Sequence, residues 1–197
     1  MAQKTQRPSA DKTRERILDS SKQLFLEKGF DGASMSAIAK LAGVNKALLF
    51  HHFSDKANLW CEVKAMISAP TQAHVEYDMT TAAGFFESLL DDRFNTYENH
   101  PELARLMAWQ HVVKEGDAIV GNEYTSPERW KKALKVLLRR GELKVGVDID
   151  LVMLFIAYSC YAPFLQTHIQ LSRAQKQAYK QLILNCCLAE FTKGKQS

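Results

Sequence analysis

Two short helical patterns separated by a glycine, within residues 34–53, constrain the fold more than any other feature of this 197-residue chain. Ser34 is a candidate N-cap, because its hydroxyl can accept a backbone N–H that the first helical turn leaves unpaired. An apolar stripe follows at helical spacing: Met35, Ile38, Ala39 and Ala42. Gly43 is expected to end this helix, since glycine enters the left-handed conformation without a Cβ penalty.

A second short helix is predicted directly after the glycine. Asn45 can cap it, and Leu49 and Phe53 lie about one turn apart on one side. Two short helices joined by a tight glycine turn form a helix-turn-helix, whose second helix can present side chains to the major groove of DNA. Such patterns also occur in helical proteins that do not bind DNA, so the motif alone leaves both possibilities open.

The residues flanking the motif favour DNA binding. The segment GFDGAS (residues 29–34), the pair Leu49-Phe50 and the run HHFSDK (residues 51–56) stand at fixed spacing around it. This arrangement closely resembles the N-terminal domain of TetR-family transcriptional repressors, in motif detail over about residues 10–60 and beyond them in helix layout and length. The resemblance implies an all-α fold, in which a three-helix bundle precedes a larger helical domain for ligand binding and dimerisation.

The charge distribution agrees with a nucleic-acid partner. Residues 1–60 carry ten Lys/Arg and six Asp/Glu, whereas residues 61–197 carry sixteen of each. The entire net charge of +4 therefore lies in the part with the helix-turn-helix, where phosphate contact is expected. Part of this excess belongs to a polar N-terminal tail that contains Lys4, Arg7 and Lys12.

The outward positions of the second helix are the candidate DNA contacts. If Leu49 and Phe53 point into the bundle, the groove side is left to Asn45, Lys46, Ala47, Leu48, Phe50, His51 and His52. A lysine can reach a guanine edge or a phosphate, and the histidines can donate to phosphates. The resemblance implies DNA contact at Ser36, Ala47, Leu48, Phe50, His52 and Lys56, with Ser34 beside them. Lys56 is expected to hold a phosphate together with N–H groups of the fourth helix.

Four of these positions depart from the family's usual pattern. Ser36 stands where arginine is common, and Leu48 where threonine or serine is common. Phe50 and His52 occupy positions often held by tyrosine. Without the phenolic hydroxyl, the Phe50 ring is expected to pack against a sugar or a thymine methyl group, and Leu48 likewise favours a methyl group. DNA binding is therefore expected, although the operator sequence cannot be read from these residues.

Nine helices are predicted in two domains. Residues 1–9 are expected to form a disordered arm, residues 10–56 the helix-turn-helix DNA-binding domain, and residues 57–197 the ligand-binding and dimerisation domain. The first helix is predicted over residues 10–28. The core of the three-helix bundle is predicted to contain Ile17, Leu18, Leu24, Phe25, Phe30, Ile38, Ala42, Val44, Leu49 and Phe53.

The fourth helix is predicted to start at Asp55, capped by Ser54, and to end before Pro70. No Gly/Ser-rich linker follows the helix-turn-helix, so this connection should be stiff. Asp148 and Ser172 can cap the last two helices. The five remaining helices are predicted at about 81–99, 102–115, 127–141, 148–170 and 172–193.

The C-terminal helices carry a candidate dimer surface and a candidate ligand pocket. The dimer surface is predicted from apolar residues of the last two helices: Leu151, Leu154, Phe155, Tyr158, Leu182, Ile183 and Cys186. An intrachain core would account for part of this set. The pocket is predicted where aromatic and methionine side chains accompany polar tips, at Phe86, Met107, Trp109, His111, Trp130, Met153, Tyr161, Phe164 and His168. The family resemblance implies effector binding there, while a plain hydrophobic core would account for most of the apolar members.

The sequence contains no motif for catalysis, metal or cofactor binding, or membrane insertion. We find no glycine-rich phosphate loop, and the four cysteines lack C-x-x-C spacing, so they are expected to be reduced in a cytoplasmic protein with no cofactor. The N-terminus has no hydrophobic signal segment. The longest apolar-rich run, residues 151–165, is too short to span a bilayer.

The predicted function is that of a homodimeric repressor that binds a palindromic operator in double-stranded DNA. A small hydrophobic or amphipathic effector is expected to release it, by favouring a dimer whose recognition helices are wrongly spaced for the operator. An activator, or a regulator controlled by a protein partner, would have the same fold. A helical protein-interaction adaptor is a more distant alternative, and a steep salt dependence of DNA affinity would exclude it.

Overall fold

The computed structural model describes residues 10–69, 75–112, 127–165 and 169–193, with side chains for all of these except 110–112 and 127. The predicted disordered arm and the side chains of His111 and His168 lie outside the described residues. The described chain forms nine α-helices: α1 (Ala10–Gly32), α2 (Met35–Leu41), α3 (Lys46–His52), α4 (Lys56–Ser68), α5 (Ala82–Asn99), α6 (Pro101–Val112), α7 (Pro127–Arg139), α8 (Ile149–Tyr161) and α9 (Arg173–Phe191). Within these residues β-type pairing is limited to an isolated bridge between Leu143 and Thr192, so the all-α prediction is confirmed.

Four helices begin at the polar side chains that the sequence predicted as caps. Ser34 accepts the Ala37 N–H, and Asn45 accepts the Leu48 N–H at 2.8 Å. Asp148 accepts N–H groups at the start of α8. Ser172 forms a reciprocal capping box with Gln175 at the start of α9. These helix starts are therefore set by local sequence.

Several helix boundaries differ from the prediction, beginning with α1, which was predicted to end at residue 28 and reaches Gly32 across a non-helical Gly29. The cap of α4 is Asp55 and not Ser54, because the Asp55 carboxylate accepts the Asn58 N–H at 2.7 Å from an extended backbone. The helix predicted over residues 148–170 ends at Tyr161 and passes into a 3₁₀ turn, Ala162–Phe164. Pro163 lies in that turn, where it has no N–H to continue the α-helical ladder.

The chain divides into two compact units, one of Met1–Ala69 with Trp109–Glu115 and the other of Pro70–Ala108 with Gly116–Ser197. The N-terminal unit therefore includes α4, whereas the sequence placed the boundary after residue 56. Its core joins α1 to α4, with the Phe25 and Trp60 rings edge to face at 4.8 Å. Within the predicted core, Phe30 and Val44 are partly exposed, and α4 contributes the buried Leu59, Trp60 and Val63.

The core of the C-terminal unit forms where α5 packs against α8 and α9, and α7 against α8. Its fully buried apolar residues include Phe85, Phe86, Leu89, Leu134, Leu137, Val152, Ile156, Cys160 and Cys187. α5 turns a continuous stripe of large side chains inward, so it is the central helix of this unit. In the described part of the chain, each helix is too short or too polar to cross a bilayer.

Candidate nucleic-acid interface

Helix α3 is held in the N-terminal unit by two side chains on one face. Leu49 and Phe53 are fully buried, as the sequence predicted. Arg14 of α1 lies over the Phe53 ring, with its guanidinium carbon 5.2 Å from the ring centroid. Arg14 also forms an ion pair with Glu62 of α4. The inner face of α3 is therefore fixed by both neighbouring long helices.

The turn between α2 and α3 has the hydrogen bonds of a Schellman motif. The Gly43 N–H donates to the Lys40 carbonyl at 3.2 Å, and the Val44 N–H donates to the Ala39 carbonyl at 3.0 Å. Gly43 has a φ of +63°, which a side chain would make costly. This geometry is the predicted helix-turn-helix turn, and it fixes the angle at which α3 leaves α2.

Arg16 of α1 makes a further contact to this turn that the sequence did not reveal. Its Nη2 donates to the carbonyl oxygens of Ala42, at 2.5 Å, and Gly43, at 3.3 Å. Carbonyls at a helix C-terminus lack intrahelical donors and carry the negative end of the helix dipole, so a guanidinium satisfies them well. Arg16 therefore attaches the turn to α1. No periodicity in the sequence indicates which arginine of α1 does so.

All ten predicted DNA contacts are accessible. The exposed ones are Ser34, Ser36, Asn45, Lys46, Ala47, Phe50 and His51, and the half-buried ones are Leu48, His52 and Lys56. They lie on α2, α3 and the start of α4, away from the buried Leu49 and Phe53. The structure thus leaves every predicted contact residue accessible in the N-terminal unit.

The side chains on this surface are partly organised without DNA. The Lys46 ammonium lies 5.8 Å from the centroid of the Phe50 ring, one turn along α3, within cation–π range. Phe50 is 42% exposed, so an apolar ring and a cation stand side by side at the outer face. Asn45 uses its side-chain oxygen as the cap of α3, which leaves its amide N–H groups as donors.

Lys56, at the first position of α4, has its ammonium 4.4 Å from the centroid of the Phe30 ring. The capping carboxylate of Asp55 already accepts one N–H of the same helix end. A phosphate at this place would therefore share the α4 N-terminus with Asp55, and Lys56 would have to leave Phe30 to reach it.

The electrostatic character of the surface follows from composition. Residues 32–54 contain no Asp or Glu, while Lys40, Lys46 and the two histidines lie within them. Carboxylates flank the segment at Asp31 and Asp55. A helix pair without internal acidic residues suits a phosphate backbone, because each phosphate carries a negative charge.

The predicted dimer residues divide between surface and core. Leu151, Leu154, Tyr158 and Leu182 are exposed, Leu151 to 62%. Phe155 and Cys186 are half-buried. Ile183 is 2% exposed and belongs to the core of its own chain, because its position on α9 faces inward. A shallow groove of about 580 Å³ runs along Leu151, Leu154, Phe155, Tyr158 and Ser159.

The predicted pocket residues are not all in one place. Phe86, Trp130, Tyr161 and Phe164 are buried in the C-terminal unit, and Met107 and Met153 are half-buried. Trp109 belongs to the N-terminal unit, where its indole N–H donates to the Leu26 carbonyl at 3.1 Å. Its ring lies over Gly29, where an added Cβ would be 2.7 Å from it. Trp109 is therefore assigned to a different unit from the other described pocket candidates.

The C-terminal unit also contains a buried polar cluster that the sequence reading missed. Arg93 of α5 donates to the Asp92 carboxylate, from Nε at 2.9 Å and from Nη2 at 2.5 Å. The Tyr77 hydroxyl donates to the same carboxylate at 3.3 Å and accepts from the Trp130 indole at 3.2 Å. Burial raises the pKa of Tyr77, so its hydroxyl keeps its proton. Throughout the described residues, no three His, Cys, Asp or Glu side chains are placed to hold a metal ion.

A helix-turn-helix with a basic outer face, together with a separate helical unit, is typical of DNA-binding regulators. Comparison with known proteins gives the same class. Residues 17–63 match the description "Bacterial regulatory proteins, tetR family". The HTH-type transcriptional regulator SrpR of Pseudomonas putida is 34% identical over 161 residues, 76% of this chain and 72% of that protein. The HTH-type transcriptional repressor SCO4008 of Streptomyces coelicolor is 27% identical over 154 residues, 76% of this chain and 78% of that one.

Solved structures share the fold. HlyIIR, a hemolysin II transcriptional regulator, superposes with a TM-score of 0.63 at 23% identity, covering 94% of this chain and all of that one. The chain belongs to the TetR family of transcriptional regulators, as its motifs indicated. It is a DNA-binding protein of the helix-turn-helix type, and the members of this family are transcriptional regulators and not enzymes.

Proposed function

We propose that this protein is a cytoplasmic homodimeric repressor that binds a palindromic operator and is released from it by a small hydrophobic or amphipathic ligand. The observation that carries the proposal is the outer face of α3, where Lys46 and Phe50 project from a firmly held helix without acidic neighbours. Lysine can contact a guanine edge or a phosphate, and an aromatic ring can contact a thymine methyl group. The other expected DNA contacts lie around this pair.

Dimerisation is supported by the exposed apolar residues of α8 and α9. Leu151, Leu154 and Tyr158 recur at helical spacing on α8, and Leu182 projects from α9, which packs beside it. Exposed apolar residues clustered along one helix in this way are expected to be covered by a partner. A two-fold dimer would place two recognition helices on half-sites about 34–36 Å apart, or a multiple of that distance.

Repression is supported by the similarity to SCO4008, which is named a transcriptional repressor. A ligand can release the operator only if it binds more tightly to a form of the dimer that fits DNA poorly. The buried aromatic residues of the C-terminal unit are the proposed place for that ligand.

The first experiment selects bound sequences from random DNA duplexes and measures the affinity of the selected site by fluorescence anisotropy at several salt concentrations. The proposal predicts an inverted repeat and a steep fall of affinity with salt. Light scattering should give a dimer. Selection of a single, non-repeated site by a monomeric protein would contradict the proposal.

A matched pair of variants tests the dimer surface. Leu154→Glu should yield monomers and lose operator binding, because a carboxylate cannot be buried in an apolar interface without a partner. Val145→Glu is the control, since Val145 is apolar and 90% exposed but lies outside the proposed surface. Equal behaviour of the two variants would contradict the assignment of this surface.

A further inference from the structure

Arg93 is a charged residue on the inward face of the central helix of the C-terminal unit. Its side chain follows the same helical stripe as Phe86 and Leu89, and the residue is 4% exposed. Burial is the largest single influence and works against the charged form of Arg93, but the Asp92 carboxylate together with Tyr77 and Tyr97 outweighs it, so the pKa of the guanidinium is raised. The interior of this unit therefore contains a permanent cation.

The hydrogen bonds of Arg93 use only part of its guanidinium. Its five N–H donors lie in a planar fork. Nε and Nη2 both donate to one oxygen of Asp92, Oδ2. Nη1 donates to no acceptor in residues 10–69, 75–112, 127–165 or 169–193. Buried charged donors without acceptors are costly, so this arrangement favours an acceptor that the described residues do not supply, and a bound ligand can provide it.

Tyr97 lies one helical turn beyond Arg93 and presents a second unsatisfied group. It is 5% exposed, and its hydroxyl makes no hydrogen bond to any residue that the structure describes. Burial raises the pKa of Tyr97, so the group remains an O–H donor at neutral pH. Residues at i and i+4 of a helix project in the same direction, so the Arg93 guanidinium and the Tyr97 hydroxyl lie on the same side of α5.

Aromatic rings surround these two donors. The Trp130 ring centroid is 5.7 Å from the Arg93 guanidinium carbon. The Tyr97 ring lies 6.4 Å from that of Tyr161 and 5.8 Å from that of Phe164. Three residues predicted as pocket lining from sequence are thus arranged around two polar groups that the prediction omitted.

We propose that Arg93 and Tyr97 anchor the carboxylate of an apolar organic acid, whose hydrocarbon body packs against Trp130, Tyr161 and Phe164. The inference rests on the proposed function, since this acid would be the ligand that releases the operator. A carboxylate suits the free edge of a guanidinium, which can bind two oxygens in one plane. Asp92 already compensates part of the charge of Arg93, so a singly charged acid fits better than a phosphate dianion.

The test uses the full-length protein and two matched pairs of probes, 1-naphthoate with 1-naphthamide and octanoate with octanamide. Isothermal titration calorimetry should show at least one carboxylate bound about tenfold or more tightly than its amide, because hydrogen bonds to charged groups are the stronger ones. Arg93→Met should remove this preference. Tyr97→Phe should weaken carboxylate binding by about threefold to tenfold while leaving the fold intact.

Two control variants remove the same groups elsewhere. Arg139→Met changes an exposed arginine of α7, and Tyr179→Phe changes a half-buried tyrosine of α9. Both should bind the carboxylates as the unchanged protein does. If Arg93→Met does not fold, the carboxylate affinities of Tyr97→Phe and Tyr179→Phe are sufficient to test the proposed site.

Three results would overturn the inference: no binding of either carboxylate, equal affinity for acid and amide, or unchanged acid binding by Tyr97→Phe. The same samples are then added to the protein–operator complex. Binding of an acid that leaves the operator bound would support the site and contradict release by this ligand. Release by a neutral compound alone, with no acid bound, would overturn the site and leave the proposed function standing.

Discussion

The two compact units place their candidate functional groups in opposite environments. In the N-terminal unit, the groups proposed to meet DNA are exposed or half-buried, and the side chains behind them are apolar. In the C-terminal unit, Arg93 and Tyr97 are buried among aromatic rings. A surface that meets a large polyanion keeps its cations in water until contact. A site for a small apolar molecule has to lie inside, where the hydrocarbon can be removed from water.

This contrast has a consequence for stability. Exposed cations add little to folding free energy, so α3 can carry lysine and histidine at small cost. A buried guanidinium is tolerated only with a compensating partner, and here Asp92 supplies one. Substitutions of the exposed groups in the N-terminal unit should therefore change DNA binding with little effect on stability. Substitutions of the buried groups in the C-terminal unit should change both stability and ligand binding.

The largest expected effect comes from adjacent leucines of α3. Leu49→Ala should lower the free energy of unfolding by about 2–5 kcal/mol, because it empties a fully buried position. Leu48→Ala should change it by only about 0.5 kcal/mol, since Leu48 is half exposed, yet should reduce operator affinity. Urea unfolding and fluorescence anisotropy measure the two quantities. Equal loss of stability in both variants would break the proposed division of α3 into an inner and an outer face.

Two glycines with positive φ separate backbone strain from packing. Changing Gly29 (φ +72°) or Gly146 (φ +85°) to alanine should lower the free energy of unfolding by about 1–2 kcal/mol each, since L-residues are strained at positive φ. Gly29→Ala should lose more, because its Cβ would be 2.7 Å from the Trp109 ring, whereas nothing lies within 4 Å at Gly146. In a Trp109→Ala background the additional loss should disappear. Thermal unfolding followed by circular dichroism would show whether it does.

Substitution of a lysine in each unit should affect operator affinity differently. Lys46→Ala should weaken operator binding by about 1–3 kcal/mol if the ammonium meets a guanine edge, and unequally across operator sequences. If it meets a phosphate, the slope of log affinity against log salt should fall by about 1. Lys135→Ala, an exposed position of α7, is the control and should have no effect. A loss shared by both variants would indicate non-specific attraction.

A smaller effect is expected at the cap of α3. Asn45→Ala should lower the free energy of unfolding by about 1 kcal/mol, because the Leu48 N–H loses its acceptor, and Asn45→Ser should restore most of this. Asn45→Asp keeps the cap but adds a negative charge to the surface, so its stability should be retained while its DNA affinity falls. Retained affinity in Asn45→Asp would place this end of α3 away from the phosphates.

The cysteines should report burial without any mutation. Burial raises the pKa of Cys160 and of Cys187 to about 12 each, so both remain thiols near pH 8, whereas Cys61 is exposed. Native protein mixed with Ellman's reagent at pH 8 should label Cys61 rapidly and the buried pair only as fast as the chain unfolds. Since folding raises their pKa from an ordinary 9.0, the stability they add is complete below pH 9 and declines towards pH 12. Rapid labelling of Cys160 would contradict its position in the core.

Local features were predictable from the sequence, and contacts between distant segments were not. The caps Ser34, Asn45, Asp148 and Ser172 act on N–H groups within three residues of themselves, so spacing alone identifies them. Ser54 and Asp55 are adjacent and both able to cap, and the choice between them depends on backbone geometry. Ile183 fits the apolar pattern of α9 equally well as core or as surface.

The contacts of Trp109 with α1 and of Arg16 with the α2–α3 turn were missed in the sequence for the same physical reason. Both side chains bond to backbone carbonyls far along the chain, Trp109 to Leu26 and Arg16 to Ala42, and backbone carbonyls leave no trace in residue patterns. Arg93 differs from Trp109 and Arg16, because the sequence itself contained a sign of its role. It occupies a position of the buried stripe of α5 where the spacing calls for an apolar residue, and a charge at such a position indicates a polar site inside.

The attachment of the α2–α3 turn to Arg16 bears on how operator preference can diversify. Because Arg16 donates to main-chain oxygens, the anchorage does not depend on which side chains occupy the outward positions of α3. If Lys46, Leu48 and Phe50 contact DNA as proposed, descendants of this gene can exchange them and acquire new target promoters while the support underneath stays the same. Substitution of Arg16 itself would loosen recognition of every target at once.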